Sequence, residues 1–190
     1  IFSPFIYAAA AERGIEPRKG QPVTLGRELG TEDLIRLTER LGFKGPFLEG
    51  DDLFRGGVSA TPLELAAAAA TLTAEGQKPR TYFLRQLLDA DGNQILAINP
   101  SARSAFSPAS TNASLKTYFP DDGPRCLIGT NPSKTDIWAV SLGLKHTTCL
   151  WIGHDTPTRL DSPDILLSAA KTAILRLGIT DPAQTSTAAQ

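Results

Sequence analysis

The chain has 190 residues, 41% of them hydrophobic, enough for one domain with a core of its own or for part of a larger one. Its 20 acidic and 19 basic residues nearly cancel, which excludes a general attraction to nucleic acid or to an anionic membrane surface. Nothing reads as a signal peptide or a membrane span: the alanine run at 66–70 is short and lies between Glu64 and Glu75.

The chain begins at Ile1 within an apolar stretch, IFSPFIYAAAA, and contains no methionine. This predicts that Ile1 is a boundary inside a longer product, with the N-terminal part of the domain missing. Residues 4–13 read as a helix, with Pro4 near its start and Gly14 as its stop. The stretch IEPRKGQPVTL reads as a loop. Thr31-Glu32-Asp33 opens a second helix with Leu34, Leu37 and Leu41 on one face and Gly42 at its end. Residues 43–60, rich in glycine and without periodicity, read as loop.

Thr61-Pro62-Leu63-Glu64 is a strong helix start, with Thr as N-cap, Pro at the first position and Glu at the third. That helix runs to a stop at Gly76, and its small residues predict tight packing in the middle of the domain. Residues 82–96 read as a hairpin turning at Asp91-Gly92. Residues 99–125 read as irregular and polar. Strands follow in the stretch 126–152, and a last helix runs from Ser162-Pro163 to Leu177 with Gly178 as its stop. Strands flanked by sequence-distant helices predict an α+β fold, an antiparallel sheet with helices packed on both faces. The domain is expected over 1–178, and the Ser/Thr/Ala-rich end, 179–190, as a disordered tail.

Cys126 and Cys149 lack metal-type spacing, and His146 and His154 form no familiar ligand interval with them. The preferred reading is of small buried residues on adjacent strands, with Cys126 facing Cys149 unbonded. No metal and no cofactor is expected.

Four stretches in order resemble the transpeptidase domain of class A penicillin-binding proteins. Pro4-Phe5-Ile6-Tyr7-Ala8-Ala9-Ala10 is similar to the helix that follows the family's Ser-x-x-Lys motif. Val58-Ser59-Ala60-Thr61-Pro62-Leu63-Glu64-Leu65-Ala66 is similar to its (E)VTPLELA helix. Residues 82–96 resemble the hairpin that follows. Gly129-Thr130-Asn131, Asp136-x-Trp138 and Trp151-Ile152-Gly153 resemble the strand region after its Lys-Thr-Gly motif. The resemblance implies a penicillin-binding/β-lactamase-like fold, in part, and an acyl transfer in which a serine attacks a D-Ala-D-Ala stem and a lysine handles its proton.

The three motifs that carry this chemistry in the family are missing. The place of the Ser-x-x-Lys lysine is taken by Ser3, which has no amine to take a proton, and the nucleophile would fall one residue before Ile1. Where the Ser-x-Asn helix is expected, only Gly26-Arg27-Glu28-Leu29-Gly30 stands; Ser110-Thr111-Asn112 carries the letters at the wrong place. The Lys-Thr-Gly strand reads Leu127-Ile128-Gly129-Thr130, with two apolar groups replacing the ammonium and hydroxyl that hold a carboxylate. No catalytic residue is therefore assigned. Leu127 and Ile128 are expected to be largely buried.

Other polar residues have ordinary readings. Asp136 and Trp138 read as a turn acid and a core aromatic, and Lys134 as a solvated turn lysine rather than a stand-in for the missing one. His146, and His154 with Asp155, read as surface residues; Arg13, Arg18 and Lys19 read as a solvated loop cluster. The function that follows is a degenerate, non-catalytic transpeptidase-like domain of a peptidoglycan-synthesis protein, acting as scaffold or binding module. The alternative is an active, penicillin-sensitive serine D,D-transpeptidase whose active-site segments are absent from this sequence. By resemblance the protein lies in the bacterial cell envelope, on the periplasmic side of the inner membrane. Its expected partners are peptidoglycan or envelope proteins, with no nucleic acid and a membrane tether only through upstream sequence.

Overall fold

Three antiparallel strands divide the molecule into two unequal halves. The computed structural model describes residues 1–179 except Asp122 and Leu144. The tail expected at 179–190 therefore lies, from Thr180 onward, outside the described residues. The helices are α1 (Ser3–Glu12), α2 (Pro22–Leu29), α3 (Thr31–Leu41), α4 (Asp51–Phe54), α5 (Pro62–Thr73), α6 (Pro108–Tyr118) and α7 (Pro163–Ile179). The strands are β1 (Gln77–Pro79), β2 (Gln86–Leu88), β3 (Gln94–Ala97), β4 (Ala102–Ser104), β5 (Cys126–Thr130), β6 (Ile137–Leu142) and β7 (Thr147–Ile152).

The central sheet has the order β5-β6-β7, and two small antiparallel pairs, β1-β4 and β2-β3, stand beside it. Alternation along β6 decides which side each residue serves. Val140 and Leu142 enter the larger core with α1, α3, α5 and α6, while Ile137 and Ala139 meet Ala170 and Ile174 of α7. Helices thus cover both faces, as the sequence predicts.

Helix α1 buries Phe5, Ile6, Tyr7, Ala8 and Ala10, so it is apolar nearly all round and sits at the centre of the larger core. Each large side chain there contributes about 1.5–3 kcal/mol of burial. Helix α5 begins with the expected capping box: Thr61 Oγ1 accepts from the Glu64 amide, and the Glu64 carboxylate accepts from the Thr61 amide at 2.9 Å. Its alanines 67–69 are buried, which lets neighbouring elements approach closely.

Four sequence expectations are corrected. Residues 22–25 begin helix α2, where a loop is predicted. Asp51–Phe54 forms the short α4 within the expected 43–60 loop. The stretch 99–125 contains β4 and the eleven-residue α6, whose start is Ser107 as N-cap and Pro108 as first residue. Gly178 does not stop α7, which continues to Ile179. In α6 the Ser/Thr-rich composition hides the helix, and packing of Ser110, Thr111, Ser114 and Leu115 against the interior overrides weak propensity.

Candidate functional site

The start of α1 meets strand β5. A β-carbon placed on Gly129 would stand 3.4 Å from Ile1 Cγ1, in ordinary contact, so the chain entering α1 lies against the strand. Phe2 packs on Phe5 and Phe43 at ring-centroid distances of 5.6 and 6.3 Å, fixing the helix entry from the other side. This junction sets Ile1, two residues before Ser3, against Gly129 of the 127–130 strand.

Leu127 lies opposite Val140, is fully buried, and projects into the larger core, as expected. Ile128, on the alternate face, is only half-buried and packs toward α7, so the expectation of burial holds for it less strictly. Ser3 is half-buried in the first turn of α1, at the position after the Phe2 N-cap. Thr130 is exposed, and its hydroxyl donates to the Asp136 carbonyl at 2.7 Å.

The polar residues after Gly129 form a tied turn. Asp136 Oδ2 accepts from Asn131 Nδ2 at 2.8 Å and from the Thr135 hydroxyl at 2.7 Å, while Oδ1 accepts from Trp151 Nε1 at 2.9 Å. The Trp151 and Trp138 rings lie 6.2 Å apart. Gly153 completes the arrangement, because a β-carbon there would fall 2.4 Å from the Trp151 ring and 3.0 Å from Asp136 Oδ1. Asp136 is a turn acid and Trp138 a half-buried support, the ordinary reading in both cases.

Lys134 turns toward α7. Its Nζ lies 3.9 Å from Asp164 Oδ1, and its carbonyl accepts from the Leu160 amide. It therefore sits over the smaller core, whereas Leu127 enters the larger one. Ser110 and Thr111 are buried in the first turn of α6, where Ser110 Oγ pairs with Ser107 Oγ at 2.8 Å. Gly26–Gly30 makes the second half and cap of α2; a β-carbon on Gly26 would meet the Phe54 ring at 2.7 Å, so glycine permits α2 to pack on α4. Arg13 pairs with Asp33 and Arg18 with Glu28, so these exposed arginines tie the α1 end to α3 and α2. His146, His154 and Asp155 are exposed.

Cys126 and Cys149 are both free and half-buried, but they are not on adjacent strands: β6 runs between them. Cys126 packs toward α7 and Cys149 toward the larger core, on opposite sheet faces. Burial raises both thiols, Cys149 to about 11. Among the described residues no three His, Cys, Asp or Glu side chains gather as metal ligands. One polar contact escapes sequence reasoning: Glu12 Oε1 accepts from the Ser107 amide at 2.6 Å, placing a carboxylate at the N-terminus of α6. The Ser107-Pro108 pair is the only sequence sign of it.

No family model matches the chain. Over 156 residues, 73% of this chain, it is 26% identical to penicillin-binding protein 1B of Vibrio cholerae. It spans about a fifth (20%) of that relative's length. Among solved structures, penicillin-binding protein 1A of Haemophilus influenzae superposes with a TM-score of 0.77 at 16% identity, over 95% of this chain and 42% of the other. PBPA of Mycobacterium tuberculosis gives 0.67 at 15% identity, over 94% and 60%. The fold is that of the transpeptidase domain of penicillin-binding proteins, and the sequence is similar to theirs.

Proposed function

We propose that this chain is a non-catalytic transpeptidase-like domain of a peptidoglycan-synthesis protein, retained as a scaffold or binding module. The observation that carries this reading is Leu127. At the place the resemblance gives to a substrate-holding lysine stands an apolar side chain with 0% exposure, packed as core. Acyl transfer by a serine needs a nearby base to take its proton, and an amine to hold the carboxylate end of the substrate. Ser3 and Leu127 supply neither. The Asp136–Trp151 turn is saturated by its own hydrogen bonds and supplies no free acid–base pair.

By the same resemblance the domain works in the bacterial cell envelope outside the cytoplasmic membrane, against peptidoglycan or other envelope proteins. Among the described residues no helix is long and apolar enough to cross a membrane. The test is release of D-alanine from a stem-peptide mimic ending in D-Ala-D-Ala, with an active penicillin-binding protein alongside. No release beyond the uncatalysed rate is expected from the natural protein that carries this chain. Turnover would overturn the reading in favour of an active D,D-transpeptidase.

A further inference from the structure

Strands β2 and β3 form an arm that leaves its apolar side chains in water. Phe83 is 99% exposed and Ile95 62%, and Leu87, Leu88 and Leu96 are also exposed. Among the described residues the two strands pack chiefly on each other. A two-stranded ribbon alone in water is marginal, and apolar surface gathered in this way marks an interaction site.

The register shows what fits. Leu87 stands directly opposite Leu96, and the Ile98 amide donates to the Arg85 carbonyl two pairs further down. On the base side of a register shift between Leu87 and Leu88, Arg85 and Leu87 share one face of the ribbon with Leu96 and Ile98, and Asp89 lies beyond the shift, where the ribbon turns. The ribbon runs from a cation at its base, through an apolar centre, to an anion at its tip. Asp91 adds negative charge at the turn. Among the described residues neither Arg85 nor Asp91 makes an ion pair. Asp89 is held in place as a carboxylate by hydrogen bonds from Asn93 and the Asp91 amide.

We infer that this face is a self-association surface, on which a second copy of the chain packs its own β2–β3 arm in the opposite direction. A two-fold axis near Leu87 and Leu96 sets the leucines of one copy on those of the other. The same operation sets each Arg85 against the partner's acidic tip at both ends. A surface with like charge at both ends would repel itself in this arrangement; this one is complementary to its own two-fold image. The area is small, so the association is weak, with Kd on the order of 10 µM to 1 mM.

Sedimentation equilibrium of the full chain tests this. The wild type is expected to populate dimer as concentration rises toward the millimolar range. Leu87→Asp, Arg85→Glu and Asp91→Arg should each weaken dimerisation at least tenfold. An equimolar mixture of Arg85→Glu and Asp91→Arg should regain the dimer, since only the mixed pair restores opposite charges. A wild type that stays monomeric to 1 mM, a dimer indifferent to Leu87→Asp, or a mixture that does not recover would overturn the inference. Exposure of the same variants to anionic lipid vesicles separates the rival occupant. A monomeric chain whose arm binds vesicles through Phe83 and Arg85 would assign the arm to a lipid surface instead, and the inference would fail.

Discussion

Leu127 on β5 stands directly opposite Val140 on β6, and both side chains are wholly buried in the larger core. Leu127→Ala should therefore cost about 2–5 kcal/mol, the transfer loss plus the cavity it leaves. The lysine that the resemblance implies there should do no better: Leu127→Lys buries an ammonium and should cost ~3 kcal/mol or more. Under the proposed function it should also create no reactivity toward β-lactams, because Ser3 has no amine to take a nucleophile's proton. Urea unfolding midpoints and penicillin labelling of the two variants check both statements.

The Asp136–Trp151 hydrogen bond makes the turn after β5 a stability element. Asp136→Ala removes the acceptor for Trp151 Nε1, Asn131 Nδ2 and the Thr135 hydroxyl together. A loss of about 1–3 kcal/mol is expected. Gly153→Ala should cost a similar amount, since its new methyl overlaps the Trp151 ring. Both variants should alter tryptophan fluorescence in the native baseline as well as the thermal midpoint.

The two cysteines should be inert. Burial raises both thiols, Cys149 to about 11, so little thiolate exists at neutral pH. With β6 between them and their side chains on opposite faces, they cannot form a bridge in the folded chain. Folded protein at pH 7.5 should react with a thiol reagent several-fold more slowly than denatured protein, in which both cysteines react at once.

Glu12 gives a pH dependence with a defined sign. Burial opposes its ionised form, but hydrogen bonds from Ser107 and Ser110 outweigh this and hold the carboxyl below the ordinary glutamate range. A depressed folded-state pKa stabilises the fold above the unfolded pKa, and that contribution disappears as pH falls through the folded value. Because Glu12 is exposed, the effect is at most about 1 kcal/mol. Glu12→Gln should lower stability at pH 7 by up to that amount and flatten this part of the acid limb in a series of denaturation midpoints from pH 7 to 3.

Much of this architecture was legible wherever backbone chemistry is local. Thr61, Pro62 and Glu64 announce α5, Gly42 closes α3 in the left-handed conformation, and Asp91-Gly92 marks the hairpin. What escaped depends on distant packing. Helix α2 has only Leu25 and Gly26 fully buried, and its glycine is a packing allowance for Phe54 that no local pattern announces. Helix α6 is built from Ser, Thr and Asn that favour caps and turns, and its docking on α1 relies on Ser114 donating to the Pro4 carbonyl at 2.5 Å. At the candidate site, the apolar character of Leu127 and Ile128 is plain in the sequence. The closeness of Ile1 to Gly129, 128 positions apart, emerges only from the fold.

The intact mass of the natural protein after exposure to a penicillin tests the central claim most directly, with an active penicillin-binding protein treated in parallel. The account predicts an unchanged mass while the active relative gains one acyl adduct. A single acyl adduct on this protein would show a working nucleophile and would contradict a non-catalytic domain.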